Sequence, residues 1–228
     1  MRILAFDTST EVCTVALATE HGSIVESAEI GRGHAQEILG MVDRVLAQGE
    51  LTLGRLAGIA AGIGPGSFTG VRVSVAVAQG LAFGAGLPVV PVASLEALAL
   101  AAIERGAERA LACLDARMGE VYWGCFAAEP ERLLAPLGPI AVGSAVTVRL
   151  PDERPYRGIG RGFEAHPSLE RLCEIDPAGR RALPDARQVA RLGARRLSLG
   201  EGIDPAELEP LYVRNKVALT EAERLAGK

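Results

Sequence analysis

The pattern of apolar and polar positions divides the start of the chain into short strands and one helix. Three runs of apolar or alternating residues, at Ile3–Phe6, Val12–Ala18 and Ser23–Ile30, predict three consecutive strands. The segment His34–Gln48 follows with apolar residues at helical spacing, which predicts an amphipathic helix. The chain therefore begins with three meandering strands and a helix that can cover them.

Single strands and helices alternate in the next part of the chain. The strands predicted at Leu56–Ile63 and Val89–Val92 are each followed by a predicted helix, at Val71–Phe83 and Ser94–Arg105. Right-handed crossovers between parallel strands are the usual connection in such an arrangement. Together with the three meandering strands, this order predicts a mixed five-stranded sheet with helices on both faces.

Residues 73–95 contain no charged side chain, and a segment of that length could span a bilayer. Gly84 and Gly86 interrupt the segment, however, and Pro88 and Pro91 follow. We therefore interpret it as a buried helix, a turn and a buried strand, and we expect no contact with a membrane.

The helix predicted at Val71–Phe83 is apolar on nearly every side, since its only polar residues are Arg72, Ser74 and Gln79. A helix that packs on one face of a sheet needs only one apolar stripe. The surplus apolar surface predicts a contact with another protein surface or with a covering element.

The second half of the chain begins like the first. Leu111–Asp115 resembles Ile3–Asp7, because each is an apolar strand that ends in an aspartate before a tight turn and another apolar strand. We interpret this as an internal duplication of one α/β unit, with chance similarity between two buried strands as the alternative. The two units are expected at residues 1–105 and 106–228.

Later elements of the second half are less regular. Pro184–Leu199 predicts a helix, with proline at its start and Gly200 just past its end. Pro210–Val213 predicts a short strand or an extended tail, which would then pack back on the first unit.

Charge limits the expected contact with nucleic acid. The net charge is −4, and residues 1–100 hold five basic and nine acidic side chains, while the remaining 19 of each sign cancel. A general basic field is therefore absent. Arg187, Arg191 and Arg195 lie on one face of a predicted helix, where they would either touch an RNA backbone or form an ordinary solvated surface.

Neither cysteine nor histidine spacing predicts a metal site. No C-x-x-C or H-x-x-x-H pair occurs among Cys13, Cys113, Cys125, Cys173, His21, His34 and His166. The four thiols are therefore expected to be reduced and partly buried, as in a cytosolic protein.

Two turns have the residue types of phosphate-binding loops. Asp7 followed by Thr8–Thr10 suits a phosphate-and-magnesium loop, but it also suits a hairpin whose side chains cap their own backbone. The glycine-rich segment Gly62–Gly70 could bind an anion at a helix N-terminus, or could serve only to start a helix with Ser67 or Thr69 as its N-cap.

Four segments together resemble the TsaB (YeaZ) family: Ile3–Glu11, Gly64–Arg72, Leu114–Tyr122 and Pro210–Asn215. The resemblance implies the duplicated actin-like, sugar-kinase-like (ASKHA, ribonuclease H-like) α/β fold. It also implies a bacterial, cytoplasmic protein needed for N6-threonylcarbamoyladenosine (t6A), the modified base beside the anticodon in tRNAs that read codons beginning with adenine.

Members of that family pair with the catalytic paralogue TsaD, and the ATPase TsaE joins them, while another enzyme supplies threonylcarbamoyl-adenylate. The resemblance thus implies an accessory subunit that contacts tRNA indirectly. The free apolar surface of the helices also predicts a homodimer when the chain is alone. Pairing in the family uses the first two helices. The interface residues implied here are His34, Ile38, Met41, Val42, Val45, Val71, Val73, Ser74, Val77, Ala78 and Leu81.

The resemblance also implies that catalysis is absent. The metal-binding His-x-x-x-His of the paralogue corresponds here to Ser94 and Leu98, which cannot replace two imidazoles around a transition metal. Ala116 and Arg117 would crowd a phosphate beside the second aspartate. The loops then count as vestigial nucleotide-binding elements: Asp7, Thr8, Ser9, Gly64, Gly66 and Asp115.

No cofactor is expected, apart from a weakly bound or shared nucleotide at the interface of the complex. The alternative is an active enzyme of the same fold, a small-molecule kinase, ATPase or metallopeptidase. In that enzyme, Asp7, Thr8 and Asp115 would hold a nucleotide and magnesium.

Overall fold

The structure is a computed structural model that describes residues 1–31, 33–175 and 178–214. Its first half contains β1 (Ile3–Asp7), β2 (Val12–Thr19), β3 (Gly22–Glu29), α1 (His34–Gln48), β4 (Gly58–Gly62), α2 (Phe68–Ala85), β5 (Val89–Val92) and α3 (Ser94–Ile103). Its second half contains β6 (Arg109–Arg117), β7 (Glu120–Glu129), β8 (Leu133–Pro136), β9 (Ala141–Ser144), β10 (Arg157–Ile159), α4 (Gly162–Ala165), β11 (Glu174–Ile175) and α5 (Ala186–Ser198). Short 3-10 helices lie at Leu53–Arg55, Ala145–Thr147, Pro167–Leu172 and Pro205–Glu207.

The first sheet has the strand order β3-β2-β1-β4-β5. Strand β1 runs antiparallel to β2 and parallel to β4, and β4 runs parallel to β5. The prediction of a mixed five-stranded sheet from the order of elements along the chain is therefore confirmed.

The second sheet repeats this arrangement. Its order, β8-β7-β6-β10-β11, places an antiparallel pair of strands on one side of β6 and a parallel pair on the other, and β9 also pairs with β7. Strand β6 therefore corresponds to β1, and Asp115 corresponds to Asp7. The common topology confirms the internal duplication that the two short strands predicted.

Helices α3 and α5 join the two sheets through a shared core, and the outer face of each sheet has a core of its own. Because side chains alternate across a strand, Ile3 and Ala5 of β1 face α5, whereas Leu4 and Phe6 face α1 and α2. Helix α5 lies on the first sheet although it comes from the second half of the chain, and α3 packs against β6 and β7 of the second sheet. A division of the chain at residue 105 thus places the two sheets in separate units. The helices cross this division, because α5 covers the first sheet and α3 covers the second.

Close approach of α5 to the first sheet depends on one glycine. A Cβ atom at Gly193 would lie 2.4 Å from the Cβ atom of Ala60, so a larger side chain would force the helix away from β4. The absence of that side chain lets α5 cover the sheet closely.

Helix α2 differs from its predicted range at both ends. It begins at Phe68 because the hydroxyl of Ser67 accepts a hydrogen bond from the backbone N–H of Gly70 at 3.3 Å, which makes Ser67 the N-cap. It ends before Gly86, which has a left-handed backbone with φ 65°. A turn and the buried strand β5 follow, as the interruption of the uncharged segment predicted.

Among the described helices, α2 alone has the length and the apolar composition of a candidate membrane span. One face of α2 packs on the first sheet through Val75, Ala78 and Ala82, as expected of a helix in a globular α/β fold. Its length and composition are therefore weak grounds for a membrane span.

After α5, the chain returns to the first sheet. Ile203 forms an antiparallel bridge with Val89, and the backbone N–H of Leu211 donates to the carbonyl oxygen of Ile63 at 2.8 Å. The segment Pro210–Val213 is extended but forms no strand. Of the two structures predicted for it, the structure shows the extended tail, packed back on the first unit.

Candidate functional site

Asp7 lies at the carboxyl end of β1 and is almost fully buried. Its Oδ1 accepts a hydrogen bond from the backbone N–H of Ser9 at 2.7 Å, and its Oδ2 accepts one from the hydroxyl of Ser94 at 2.8 Å. A Cβ atom at Gly62 would lie 2.0 Å from Oδ2, so β4 leaves no space beside the carboxylate. Both oxygens of Asp7 are therefore used inside the protein.

Burial raises the pKa of the Asp7 carboxyl above its ordinary value, although the hydrogen bonds from Ser9 and Ser94 lower it in part. A carboxyl group held in this way favours its neutral form more than an exposed aspartate does.

The loops after β1, β4 and β5 are hydrogen-bonded to one another. The hydroxyls of Ser94 and Ser9 are 2.8 Å apart, and the backbone N–H of Ser94 donates to the carbonyl oxygen of Gly64 at 2.8 Å. The hydroxyl of Thr8 donates to the carbonyl oxygen of Gly70 at 2.7 Å. These contacts are those expected of a turn that caps its own backbone, and the alternative of a phosphate-and-magnesium loop stays a prediction.

Glycine is required where these loops touch. A Cβ atom at Gly66 would lie 2.2 Å from the carbonyl oxygen of Ser9, and one at Gly70 would lie 1.9 Å from that of Thr8. The glycines therefore let the turn after β1 pack against the start of α2.

Asp115, the counterpart of Asp7 in the second sheet, has a different environment. Its Oδ1 accepts a hydrogen bond from the backbone N–H of Arg117 at 2.8 Å, and its Oδ2 lies 3.1 Å from the guanidinium of the same residue. Nε2 of His166 is 4.0 Å from Oδ1. Asp115 lines the space between the two halves, whereas Asp7 is buried behind the loops beside it.

A cleft of about 620 Å³ separates the two halves of the molecule at this place. Arg161 in the cleft is paired with Glu11 and also lies 3.5 Å from Glu164. Arg214 is paired with Glu120 and donates to the carbonyl oxygen of Ala116 at 3.1 Å. Because carboxylates neutralise these cations, the cleft has little positive field to attract an anion.

The predicted interface residues need a correction, because most of them lie in the core of the chain itself. Eight of the eleven are buried: His34, Ile38, Met41, Val42, Val45, Val71, Ser74 and Ala78. They leave no exposed surface for a partner, since the apolar stripes of α1 and α2 are used to cover the first sheet. Val73, Val77 and Leu81 are partly exposed at the edge of this core.

A different face of α2 is exposed. Ala76, Gly80 and Gly84 form a stripe of small residues at four-residue spacing, and Phe83 beside them is 61% exposed. On the neighbouring helix α1, Leu39 is 48% exposed. The sequence signal for this face was the apolar character of α2 on the side opposite its buried stripe.

Comparisons with known proteins agree with this geometry. A family model described as TsaD: tRNA N6-adenosine threonylcarbamoyltransferase matches residues 17–150. The Escherichia coli tRNA threonylcarbamoyladenosine biosynthesis protein TsaB is 38% identical over 237 residues, which cover all of both chains. The Haemophilus influenzae protein of the same name is 38% identical over 232 residues and 95% of each chain. The chain belongs to the TsaB family.

A solved structure supports this conclusion. YeaZ from Pseudomonas aeruginosa superimposes with a TM-score of 0.84 at 38% identity, covering 92% of this chain and 99% of that one. The resemblance to the TsaB family and the duplicated ASKHA-like fold are both confirmed.

All four segments that carry the TsaB resemblance contribute to the cleft. Their lining residues include Ser9, Gly66, Asp115 and Tyr212, one from each segment. Asn215, the last residue of the fourth segment, lies outside the described residues. Segments far apart in the sequence of this TsaB-family chain are thus brought together at one place.

The arginines proposed to contact RNA are engaged by their own chain in this TsaB-family structure. Arg187 lies 3.4 Å from Asp185, and Arg191 lies 2.6 Å from Glu104. Nε of Arg195 donates to the carbonyl oxygen of Glu131. An RNA backbone at this helix would have to compete with these contacts.

The four cysteines carry free thiols, and Cys13, Cys113 and Cys125 are buried. Burial raises the pKa of Cys13 to about 12 and that of Cys125 to about 11. These thiols are therefore protonated at neutral pH and unsuited to nucleophilic chemistry.

Proposed function

We propose that this chain is a non-catalytic subunit in t6A formation, where it acts by pairing with a TsaD-type protein through the exposed face of α2. Its relatives named TsaB are described as tRNA threonylcarbamoyladenosine biosynthesis proteins. The observation that carries the proposal is the uncovered stripe Ala76, Gly80 and Gly84 with the exposed ring of Phe83. Small residues at four-residue spacing allow a partner helix to approach closely.

The positions equivalent to the metal-binding histidines of the catalytic paralogue support an accessory role. Ser94 is fully buried and donates its hydroxyl hydrogen to Asp7, and Leu98 is buried in the core between the sheets. Neither side chain is a ligand for a transition metal. The internal hydrogen bonds of Asp7 also support the absence of a metal-bound nucleotide at β1.

The exposed face of α2 is too small to form the whole interface with a partner. A helix of 18 residues is about 27 Å long, and a strip about 10 Å wide along it is about 270 Å². A stable interface buries about 800 Å² on each partner. The interface therefore extends to the exposed side of α1, including Leu39. Free chains would use the same surface to form a homodimer.

The remaining parts of the proposal follow from the family. The chain acts in the cytoplasm, a TsaE-type ATPase joins the pair, and tRNA contacts are made chiefly by the partner. No cofactor is needed for pairing, and a nucleotide shared between subunits at this cleft would need cations from the partner, because Arg161 and Arg214 are paired within the chain.

Gly80→Glu tests the pairing. A Cβ atom at Gly80 meets no heavy atom within 4 Å, so the monomer accommodates the new side chain. Replacing glycine inside a helix stabilises the monomer by about 0.5–1 kcal/mol, whereas the charged side chain blocks close approach of the partner. We expect loss of co-purification with a TsaD-type protein and loss of t6A, measured by mass spectrometry of tRNA nucleosides.

Two further variants make this test specific. Ser198→Glu places the same charge on an exposed position of α5 and is expected to leave pairing intact. Asp115→Asn is expected to leave t6A formation within about twofold of the wild type, since an accessory subunit needs no carboxylate there. Loss of t6A in Asp115→Asn with intact pairing would instead favour the enzyme alternative.

A further inference from the structure

Two aromatic rings and a guanidinium group form an exposed cluster where α2 begins. Phe68 is the first residue of α2, and Tyr212 belongs to the extended tail. The guanidinium carbon of Arg72 lies 3.3 Å from the centroid of the Phe68 ring and 5.1 Å from that of Tyr212. The ring centroids are 6.5 Å apart with an angle of 38° between the planes. We call Phe68, Arg72 and Tyr212 the arginine cluster.

Exposure of these rings is high for large side chains. Phe68 is 57% exposed and Tyr212 is 55% exposed. Aromatic side chains contribute most of their binding energy when they are removed from water, so two uncovered rings held side by side favour a partner surface that covers them.

The cluster is held in place by hydrogen bonds on both sides of Tyr212. Leu211 donates its backbone N–H to Ile63, and Arg214 donates to the carbonyl oxygen of Ala116 at 3.1 Å. The side-chain amide of Gln79 on α2 donates to the carbonyl oxygen of Leu208 at 3.1 Å. Because the tail is already fixed to both halves, it loses little conformational entropy when a partner binds.

Arg72 lies against two residues that line the cleft, Phe68 and Tyr212, and it differs in its charge balance from the arginines of the cleft itself. Its guanidinium donates to the carbonyl oxygen of Phe68 at 3.1 Å. No carboxylate of residues 1–31, 33–175 or 178–214 forms an ion pair with it, whereas Arg117, Arg161 and Arg214 all have carboxylate partners. Within the part of the chain that the structure describes, its remaining N–H donors have no acceptor, and they suit an acceptor on a partner.

We infer that the arginine cluster binds an acidic side chain of the protein that covers α2, with the carboxylate on Arg72 and apolar neighbours against the two rings. The inference rests on the proposed function and names the chemistry of that contact. Arginine and aromatic residues dominate the energetically important centres of protein interfaces. The cluster is also continuous with the uncovered face of α2, since Phe68 and Arg72 belong to that helix.

A protein carboxylate fits the cluster better than RNA does. Binding of a nucleic acid backbone requires several cations free to neutralise phosphates. At this cleft the neighbouring arginines are already paired with Glu11, Asp115 and Glu120. Residues 1–100, which include Arg72, carry a net charge of −4. One guanidinium that has no carboxylate partner among the described residues matches one carboxylate.

Calorimetric titration of the purified chain with a TsaD-type protein from the same organism tests the inference. We expect Arg72→Gln to raise the dissociation constant by about 10- to 100-fold, because it removes both the positive charge and the planar guanidinium that lies against the rings. Arg72→Lys keeps the charge without the planar fork and is expected to recover only part of the loss. The effect of Arg72→Gln should also shrink as salt is raised.

Arg55→Gln is the matched control, since Arg55 is exposed and lies on the short 3-10 helix before β4. Thermal unfolding of each variant establishes that the chain remains folded. Equal affinity in Arg72→Gln, Phe68→Leu and Arg55→Gln would overturn the inference. In that case loss of pairing in Gly80→Glu would still support the proposed function separately. The inference is equally overturned if Arg72→Gln leaves partner binding unchanged but abolishes binding of an anticodon stem-loop RNA.

Discussion

Asp7 has the sequence signature of a phosphate-and-magnesium loop, but in the fold both of its oxygens accept hydrogen bonds from within the chain. In the sequence it is an aspartate at the end of a central strand, followed by hydroxyl residues. In the fold its two oxygens accept hydrogen bonds from Ser9 and Ser94, and Gly62 packs against it. The carboxylate of Asp7 is therefore better described as a structural group that holds together the loops after β1, β4 and β5.

Replacement of Asp7 by asparagine tests this description through pH. A raised pKa in the folded state means that the folded protein binds the proton more tightly than the unfolded chain does. The free energy of unfolding is then highest below the ordinary aspartate pKa of about 4 and decreases as the pH rises through that value toward the folded pKa. The side chain of Asp7→Asn can still form both hydrogen bonds, but it does not ionise. The decrease in the free energy of unfolding with rising pH is therefore removed.

The measurement is urea unfolding between pH 4 and 8. We expect the stability of Asp7→Asn relative to the wild type to increase as the pH rises through this range. Asp43→Asn, which removes an exposed carboxylate on α1, is the matched control. A difference between Asp7→Asn and the wild type that stays constant with pH would contradict the raised pKa.

At the scale of elements, α2 has one face for its own sheet and another that no described element covers. Its buried stripe runs through Val71, Val75, Ala78 and Ala82. A helix of this kind depends on its N-terminal cap, since the glycine-rich segment before it offers no other side chain to stop the helix at that point. The cap also fixes where Phe68 emerges.

Ser67→Ala is expected to lower the free energy of unfolding by about 1 kcal/mol, because it removes the hydroxyl that accepts from the backbone of Gly70. Chemical denaturation of purified protein measures the change. The neighbouring Thr69→Ala, at an exposed position in the first turn, serves as the control and is expected to have a smaller effect. Equal losses in the two variants would show that Ser67 is not the effective cap.

At the scale of the whole molecule, α3 and α5 lie between the two sheets and bind them together. The guanidinium of Arg196 on α5 forms two hydrogen bonds with the carboxylate of Glu96 on α3, at 2.5 and 3.2 Å, and also donates to the carbonyl oxygen of Pro91. The pair is mostly shielded from water. It therefore links elements that lie about a hundred residues apart in the sequence.

Glu96→Ala is expected to cost about 1.5–3 kcal/mol in the free energy of unfolding, since it leaves a partly buried guanidinium without its carboxylate. Loss of the hydrogen bond from the backbone of Ala93 to Glu96 is included in this range. Glu26→Ala breaks the more exposed pair with Arg44 and is expected to cost less than about 1 kcal/mol. Similar costs for the two variants in urea unfolding would contradict a structural role for the pair between α3 and α5.

The sequence by itself determined the elements and much of the topology. Alternation and helical spacing gave α1 at its observed bounds and placed the strands of the first sheet, because these patterns arise from local backbone geometry and from the burial of one face. The repeat of an apolar strand ending in aspartate was sufficient to reveal the duplication. Four short motifs were sufficient to reveal the family.

Only the tertiary structure decided which apolar side chains face the chain's own core. Ile38 and Met41 are apolar, as interface residues often are, but they cover the first sheet. The pattern of one helix cannot show which surface its apolar stripe packs against. The same holds for Asp7, whose partners come from the loops after β1 and β5, and for Tyr212, which meets Arg72 only because the tail returns to α2. Such contacts depend on long-range packing, which local sequence patterns do not encode.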